Sequence, residues 1–296
     1  MTTEVSPTRL SVQRDTFVQR DAVKYLSDRV VLTAVFITLF YLNYASSLID
    51  AFANIFAVDN DLARSRTVSG AEILGFVAIF VVLRDLRTER VLRWWDFVAI
   101  VGIVTASLYP SEVCRAISMT CLGLFFIARS DKRIGSLGQL CIGVAWIGFW
   151  GALVLSFIKP WLLPIEAGFA FLPLSLFGSF SLEGTIISNG NGHAIDVLEP
   201  CSAFRNTVTT AFIWLSMIKI QKLDFQSKYL YILVIGVVTV VMLNTVRISI
   251  MAVSESQYFF WHTGPGLWIV KALMLSGILG LFYFGFRTPV AFQPRE

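Results

Sequence analysis

The chain has 296 residues, 56% of them hydrophobic and 15% charged, with a mean hydropathy of +0.70. A charged share this far below the roughly 25% of soluble domains excludes an ordinary soluble fold and indicates a membrane protein. The net charge of +4 is scattered over loops, which argues against a nucleic-acid partner, and two histidines with no His-Glu-x-x-His motif argue against a zinc peptidase.

Residues 1–28 are polar and mixed in charge, without the apolar core and small-residue cleavage site of a secretory signal. They read as a cytoplasmic tail, with the first span itself directing export. Runs of about 18 or more mainly apolar residues then place spans near 30–49, 68–84, 94–110, 112–129, 137–158, 202–220, 229–249 and 267–286. The expected fold class is all-α: a polytopic helical membrane protein with about eight transmembrane helices. They form a single membrane domain over 29–286, followed by a cytoplasmic tail at 287–296. A barrel would show alternating segments of about ten residues instead.

Basic residues alternate between loops. Arg9 to Arg29, Arg84 to Arg93, Lys132 and Arg133, Lys219 to Lys228, and Arg287 with Arg295 all fall on one side, which the positive-inside rule makes cytoplasmic. Cys114, Cys121 and Cys141 lie in apolar stretches and read as small core residues.

Trp161–Phe180 is apolar enough for another span, but a crossing there would invert everything downstream. Its Pro164, Pro173, Glu166 and Gly168 fit an uninterrupted crossing poorly. The segment is therefore expected to be an interfacial or re-entrant helix on the outer face. Beyond it, Thr185–Ser188 and His193–Leu198 flank Asn189-Gly-Asn-Gly192, the composition of a small outer-face β-hairpin.

The hairpin leads to Glu199-Pro200-Cys201. Pro favours the first position of a helix, so the spacing predicts Cys201 in the first turn of the next span, where the helix dipole favours a thiolate. Arg205 follows four residues later, on the same face, and both effects raise the reactive thiolate population. The following span climbs outward to Asn244-Thr-Val-Arg247, reaching the outer interface after about 27 Å of rise. Asn244 and Arg247 share a face there. A short outer excursion from Ser254 to Gly266 carries His262 among Tyr258, Phe259, Phe260 and Trp261, as an interfacial aromatic belt would. His193, in the hairpin, has no signalled role.

At these residues the sequence resembles the exosortase/archaeosortase family of polytopic membrane transpeptidases. The carriers are Glu199-Pro-Cys-Ser202, Asn244-Thr-Val-Arg247 and His262, in that order, and the specific likeness runs from Pro160 to Gly266. The family usually has a glycine after Cys-Ser; here Ala203 follows Ser202, which suggests a divergent subgroup. The resemblance implies an integral cell-membrane cysteine peptidase and transpeptidase (a hydrolase when water is the acceptor) with its catalytic part in 160–286. Its protein-sorting partner would be an exported protein whose C-terminal signal combines a short motif, a transmembrane helix and a basic cluster. Catalysis would rest on Cys201, Arg247 and His262, supported by Asn244, Arg205 and Ser202, without metal or cofactor. Membrane lipids surround it, in the cytoplasmic (inner) membrane, with the active site facing the extracytoplasmic side. The alternative from another class is a multi-pass transporter or flippase without covalent chemistry, using Arg247 and Arg205 as an anion site.

Overall fold

The computed structural model describes residues 32–33, 35–36, 70–85, 94–109, 111–128 and 132–287. The expected tail 1–28, most of the first expected span and the C-terminal tail beyond Arg287 lie outside the described residues. What is described falls into two compact units, one within Ile79–Cys141 together with the helical residues 32–33 and 35–36, the other within Ser69–Ala78 and Ile142–Glu296.

Helices α1 (Gly70–Arg84), α2 (Trp94–Ser107) and α3 (Glu112–Ile127) follow the expected spans to within a few residues. At 14 to 16 residues each they rise about 21–24 Å, less than the roughly 30 Å of a hydrocarbon core. In the first unit α3 lies against α4 (Lys132–Ala145) through Gly138, where a side chain would collide with the Gly123 carbonyl. Leu122, Phe126, Leu137 and Leu140 fill the core there.

The principal correction concerns the segment from Trp161. Helix α4 passes through a π turn at Trp146–Trp150 directly into α5 (Gly151–Ser175), giving one unbroken run of 44 residues, Lys132–Ser175. Its contour is about 66 Å at 1.5 Å per residue, more than twice the hydrocarbon thickness. The chain therefore starts no new element at Trp161 and does not turn back there, so the segment expected to stand apart is the second half of one continuous helix. Three prolines, Pro160, Pro164 and Pro173, sit inside this helix. Each removes one backbone hydrogen bond, which bends a helix without reversing it, and membrane helices tolerate the loss where neighbouring groups take over. Leu163, Ala167, Ala170 and Leu174 recur at helical spacing and stay buried, so one packed face carries the helix past the prolines.

Helices α6 (Ala203–Ile220), α7 (Ser227–Val253), α8 (Glu255–His262) and α9 (Pro265–Arg287) complete the second unit. Three helical runs are long and apolar enough to cross a membrane: Lys132–Ser175, Ser227–Val253 and Pro265–Arg287. By that measure the eight expected crossings are not reached among the described residues.

Between α5 and α6 lies a three-stranded antiparallel sheet in the order β1 (Phe180–Glu183), β2 (Ile186–Asn189), β3 (Ala194–Asp196). The expected hairpin is β2–β3. Strand β1 is an addition: the apolar segment ends at Phe180 and the composition of Ser181–Glu183 signals no strand. Glu183 pairs with Ile186, so β1 and β2 are joined by a two-residue turn in which Gly184 takes φ +61°, a conformation open to glycine.

Alternation along the strands turns Ile187, Ile195 and Val197 inward, where they meet Ala167, Ala170 and Leu174 of α5 and Ile248, Met251 and Ala252 of α7. The alanines let the elements approach closely. Polar ties fix the register: Ser249 Oγ donates to the Ala170 carbonyl at 2.7 Å, Asn189 Nδ2 to the Val253 carbonyl at 2.6 Å, and His193 Nε2 lies 3.0 Å from the Met251 carbonyl. Cys201 belongs to this same buried cluster.

Candidate active site

Cys201 ends a short 3₁₀ turn, Glu199–Cys201, with Pro200 near its start. The turn closes through the Cys201 N–H donating to the Leu198 carbonyl at 2.9 Å and the Ser202 N–H to the Glu199 carbonyl at 3.1 Å. Helix α6 begins only at Ala203, with Ser202 as its N-cap, its hydroxyl accepting from the Phe204 N–H at 3.1 Å. Cys201 thus precedes the helix and does not occupy its first turn. Proline starts a helical turn here as its fixed φ favours, but the turn is a separate one, and the extended backbone of Ser202 divides the two.

The amides at the start of α6 are engaged by a residue the sequence reading did not assign to the site. Glu166 of α5 accepts from Ser202 Oγ at 2.9 Å, and its two oxygens each lie 3.1 Å from the Ala203 N–H. A carboxylate at a helix N-terminus is favoured by the dipole and by the unpaired amides. The only signal in the sequence was the cost of an acid within an apolar helix, which marks it as engaged without naming its partner. Ser202 accordingly serves as a cap and as the link to Glu166. Lys159 and Glu199 form an ion pair between α5 and the turn, but both side chains are close to half exposed, so its contribution is small.

Ala203 lies where the family's glycine would. It has no positive φ, so alanine fits without strain. Arg205 is exposed on α6. Because Cys201 lies outside the helix, Arg205 does not follow it by one turn on a shared face, and the cation acting on the thiol is Arg247 instead.

Asn244 and Arg247 lie on α7, one turn apart, 1% and 7% exposed. Asn244 Nδ2 donates to the Cys201 carbonyl at 2.7 Å, tying α7 to the 3₁₀ turn. Its Oδ1 is buried and has no hydrogen-bond partner among the described residues. Arg247 Nε donates to the Trp261 carbonyl at 3.1 Å, tying α7 to the residue before His262. The excursion expected as a loop is instead the helix α8, capped by Ser254, whose hydroxyl accepts from the Gln257 N–H at 3.4 Å. His262 closes that helix, half-buried, its ring stacked on Tyr258 with centroids 4.8 Å apart and planes 13° apart.

Two hydrogen bonds from neighbouring turns of one helix therefore bring the Cys201 turn, the Arg247 guanidinium and the His262 end of α8 to a common place. Burial pushes the Cys201 thiol above the ordinary range of cysteine. The Arg247 charge and a hydrogen bond from Leu198 pull it back, while Glu166 and Asp196 push it up. The site therefore holds a protected thiol that a cation can help to ionise. Among the described residues no group of three His, Cys, Asp or Glu stands ready to hold a metal ion.

A family model described as transmembrane exosortase matches residues 60–282, three quarters of the chain. The chain belongs to the transmembrane exosortase family. The match takes in the whole site, from Lys159 to His262, so this exosortase-family protein carries the ordered Cys, Asn-x-x-Arg, His series inside the family region. Comparisons with curated proteins and with solved structures returned no match.

Proposed function

We propose that this exosortase-family membrane protein is a cysteine transpeptidase that cleaves the C-terminal sorting tail of an exported protein through a thioester on Cys201. The observation that supports the reading is the pair of bonds from α7, Asn244 to the Cys201 carbonyl and Arg247 to the Trp261 carbonyl, which ties the Cys201 turn and the end of α8 that carries His262 to the helix that carries Arg247. In the proposed cycle the Cys201 thiol gives its proton to His262, and the thiolate adds to a substrate carbonyl, whose π electron pair moves to the oxygen. Arg247 keeps Nε on the Trp261 carbonyl and turns its Nη donors to that oxyanion; one such donor is worth on the order of 3 kcal/mol. Collapse forms the thioester and expels the C-terminal segment as an amine, which takes its proton from His262. The acceptor then gives a proton to His262 and displaces the thiolate, so that an amine or lipid acceptor gives transfer and water gives hydrolysis.

The partner in this reading is an exported protein with a short motif, a transmembrane helix and a basic cluster. The enzyme lies in the cytoplasmic membrane with its site on the extracytoplasmic side, its catalytic part covers 160–286, and 1–28 and 287–296 are cytoplasmic tails.

The test is capture of the intermediate. Membranes carrying the wild-type chain should yield a hydroxylamine-labile adduct of an exported polypeptide on Cys201, absent from Cys201→Ala, while both variants insert alike. Processing that persists in Cys201→Ala would overturn the proposal, and transport that persists in Cys201→Ser with no adduct on the wild type would favour the non-covalent transporter reading.

A further inference from the structure

Helix α8 is eight residues long and ends on His262. A helix this short is marginal alone, and its last turn is the part least held by its own backbone bonds. At that end the Thr263 and Gly264 N–H groups both donate to the Phe259 carbonyl, at 3.2 and 2.8 Å, which fixes the backbone and leaves the side-chain torsions to packing. The terminal torsion of a histidine is broad, so an imidazole placed here keeps one orientation only where a neighbour packs on its ring.

That neighbour is Tyr258. Four residues apart, the two side chains share a face of α8, and their rings lie nearly parallel, 13° between planes with centroids 4.8 Å apart. Tyr258 is held in its turn. It packs against the buried cluster that contains Cys201, Ile248 and Met251, and the His193 ring meets it edge to face with centroids 6.3 Å apart. His193 is anchored by Nε2, 3.0 Å from the Met251 carbonyl; a carbonyl only accepts, so that nitrogen carries the proton. Phe259 and Phe260 beside it are 55% and 40% exposed. The aromatic run of α8 is therefore divided, with those two facing outward and Tyr258 turned toward the buried cluster.

We infer that Tyr258 is a positioning residue of the reaction: its ring, braced by His193, holds the His262 imidazole in the orientation that proton exchange requires. The inference rests on the proposed transpeptidase reading and adds what aims its acid–base group. In that cycle His262 exchanges protons with the thiol, the leaving amine and the acceptor in turn. Each exchange needs a ring nitrogen within hydrogen-bond reach, about 2.6–3.2 Å, and an imidazole that swings loses that geometry. A stacked aromatic face also favours the imidazolium formed between the exchanges, because the ring quadrupole attracts a cation. Among the described residues the Tyr258 hydroxyl makes no hydrogen bond, so the holding element is the ring and not the phenol.

The probe is a synthetic peptide copying the residues around the scissile bond of the polypeptide captured on Cys201, turned over by the full-length protein in proteoliposomes. Tyr258→Phe keeps the ring and should leave kcat and KM within about twofold of wild type. Tyr258→Leu keeps apolar bulk without the ring and should lower kcat about tenfold or more while KM stays within about twofold. The loss runs through His262, so adding Tyr258→Leu to His262→Ala should cost less than about a further twofold. Iodoacetamide should alkylate Cys201 within about twofold of the wild-type rate in both Tyr258 variants, which checks that the Cys201 turn is in place. Unchanged kcat in Tyr258→Leu, a loss in Tyr258→Phe as large as in Tyr258→Leu, or a full further loss on top of His262→Ala overturns the positioning role and leaves the thioester enzyme standing. If Tyr258→Leu fails to insert, Tyr258→Phe decides alone by its own limit. A wild-type protein that captures nothing on Cys201 overturns the enzyme and, with it, this role.

Discussion

Cys141 and Cys201 are both buried, and the regions around them are built differently. Around Cys141, in the unit of residues 79–141, hydroxyls turn back on their own helices: Thr105 donates to Val101, Ser107 to Val104 and Ser136 to Lys132. Such bonds satisfy a polar group within its own helix and place nothing else; a bond between elements of that unit, from Arg133 Nη1 to the Asp85 carbonyl at 3.2 Å, is exposed and away from the core. Around Cys201 the polar side chains cross between elements: Glu166 to the start of α6, Asn244 to the Cys201 turn, Arg247 to the end of α8, Ser249 to α5. Two cysteines of similar burial thus differ in surroundings, one in an apolar packing region and one at the meeting point of four cross-element bonds. The difference teaches that burial alone does not tell the two cysteines apart; polar bonds between elements do, because they fix geometry at the expense of apolar packing.

The sharpest way to break that comparison is at Arg247. Arg247→Lys keeps a charge but loses the planar fork, so turnover of a captured substrate should fall on the order of 10²- to 10³-fold, measured as thioester formation in single-turnover assays. Activity within a few-fold of wild type would remove Arg247 from the mechanism.

Glu166 comes next. Glu166→Ala removes the acceptor for Ser202 and Ala203, and loss of a helix cap of this kind should cost about 1–2 kcal/mol. Thermal denaturation in detergent should show the loss, and substrate turnover should drop with it as the Cys201 turn loosens. Removing the Ser136 hydroxyl in the other unit, by Ser136→Ala, should leave both within error. Equal effects at the two places would erase the distinction between bonds within a helix and bonds between elements.

The pH dependence of alkylation sharpens the contrast further. Because burial holds the Cys201 thiol above the usual cysteine range, the folded state favours the neutral form. Its contribution to stability is complete below the pKa of the unfolded thiol and fades as pH rises through the folded value. Only the thiolate reacts, so the rate with iodoacetamide should keep rising beyond pH about 8.5, where free cysteine begins to level off. Arg247→Gln should move this profile further to alkaline pH, since it removes the largest influence that lowers the value. A profile unmoved by Arg247→Gln would show that the two groups do not interact.

The smallest effect belongs to Arg205. Exposed on α6 and not among the charges acting on Cys201, it should tolerate Arg205→Ala with less than about a threefold change in single-turnover rate. A large loss there would restore it as the cationic partner of the thiol.

Hydropathy and charge were enough to mark the helices, because an apolar stretch must satisfy its backbone internally whatever surrounds it. α1 to α3, α6, α7 and α9 follow from those runs to within a few residues. The Asn-Gly-Asn-Gly turn likewise announced the β2–β3 hairpin by its local backbone demands. Chemistry-bearing residue types were legible too, since Cys201, Arg247 and His262 stand at the ends of successive apolar runs. What the linear order could not decide was every relation carried by packing. Whether Pro160 and Pro164 end a helix depends on the faces that flank them, and Leu163, Ala167 and Ala170 kept α5 whole. The partner of Glu166 lies 36 and 37 residues away, at Ser202 and Ala203. Cys201 owes its cation to α7 rather than to its own helix, because a tertiary hydrogen bond from Asn244 overrides spacing along the chain. Local sequence dictates which backbone conformations are affordable; only the folded chain decides which distant groups come close enough to share a charge.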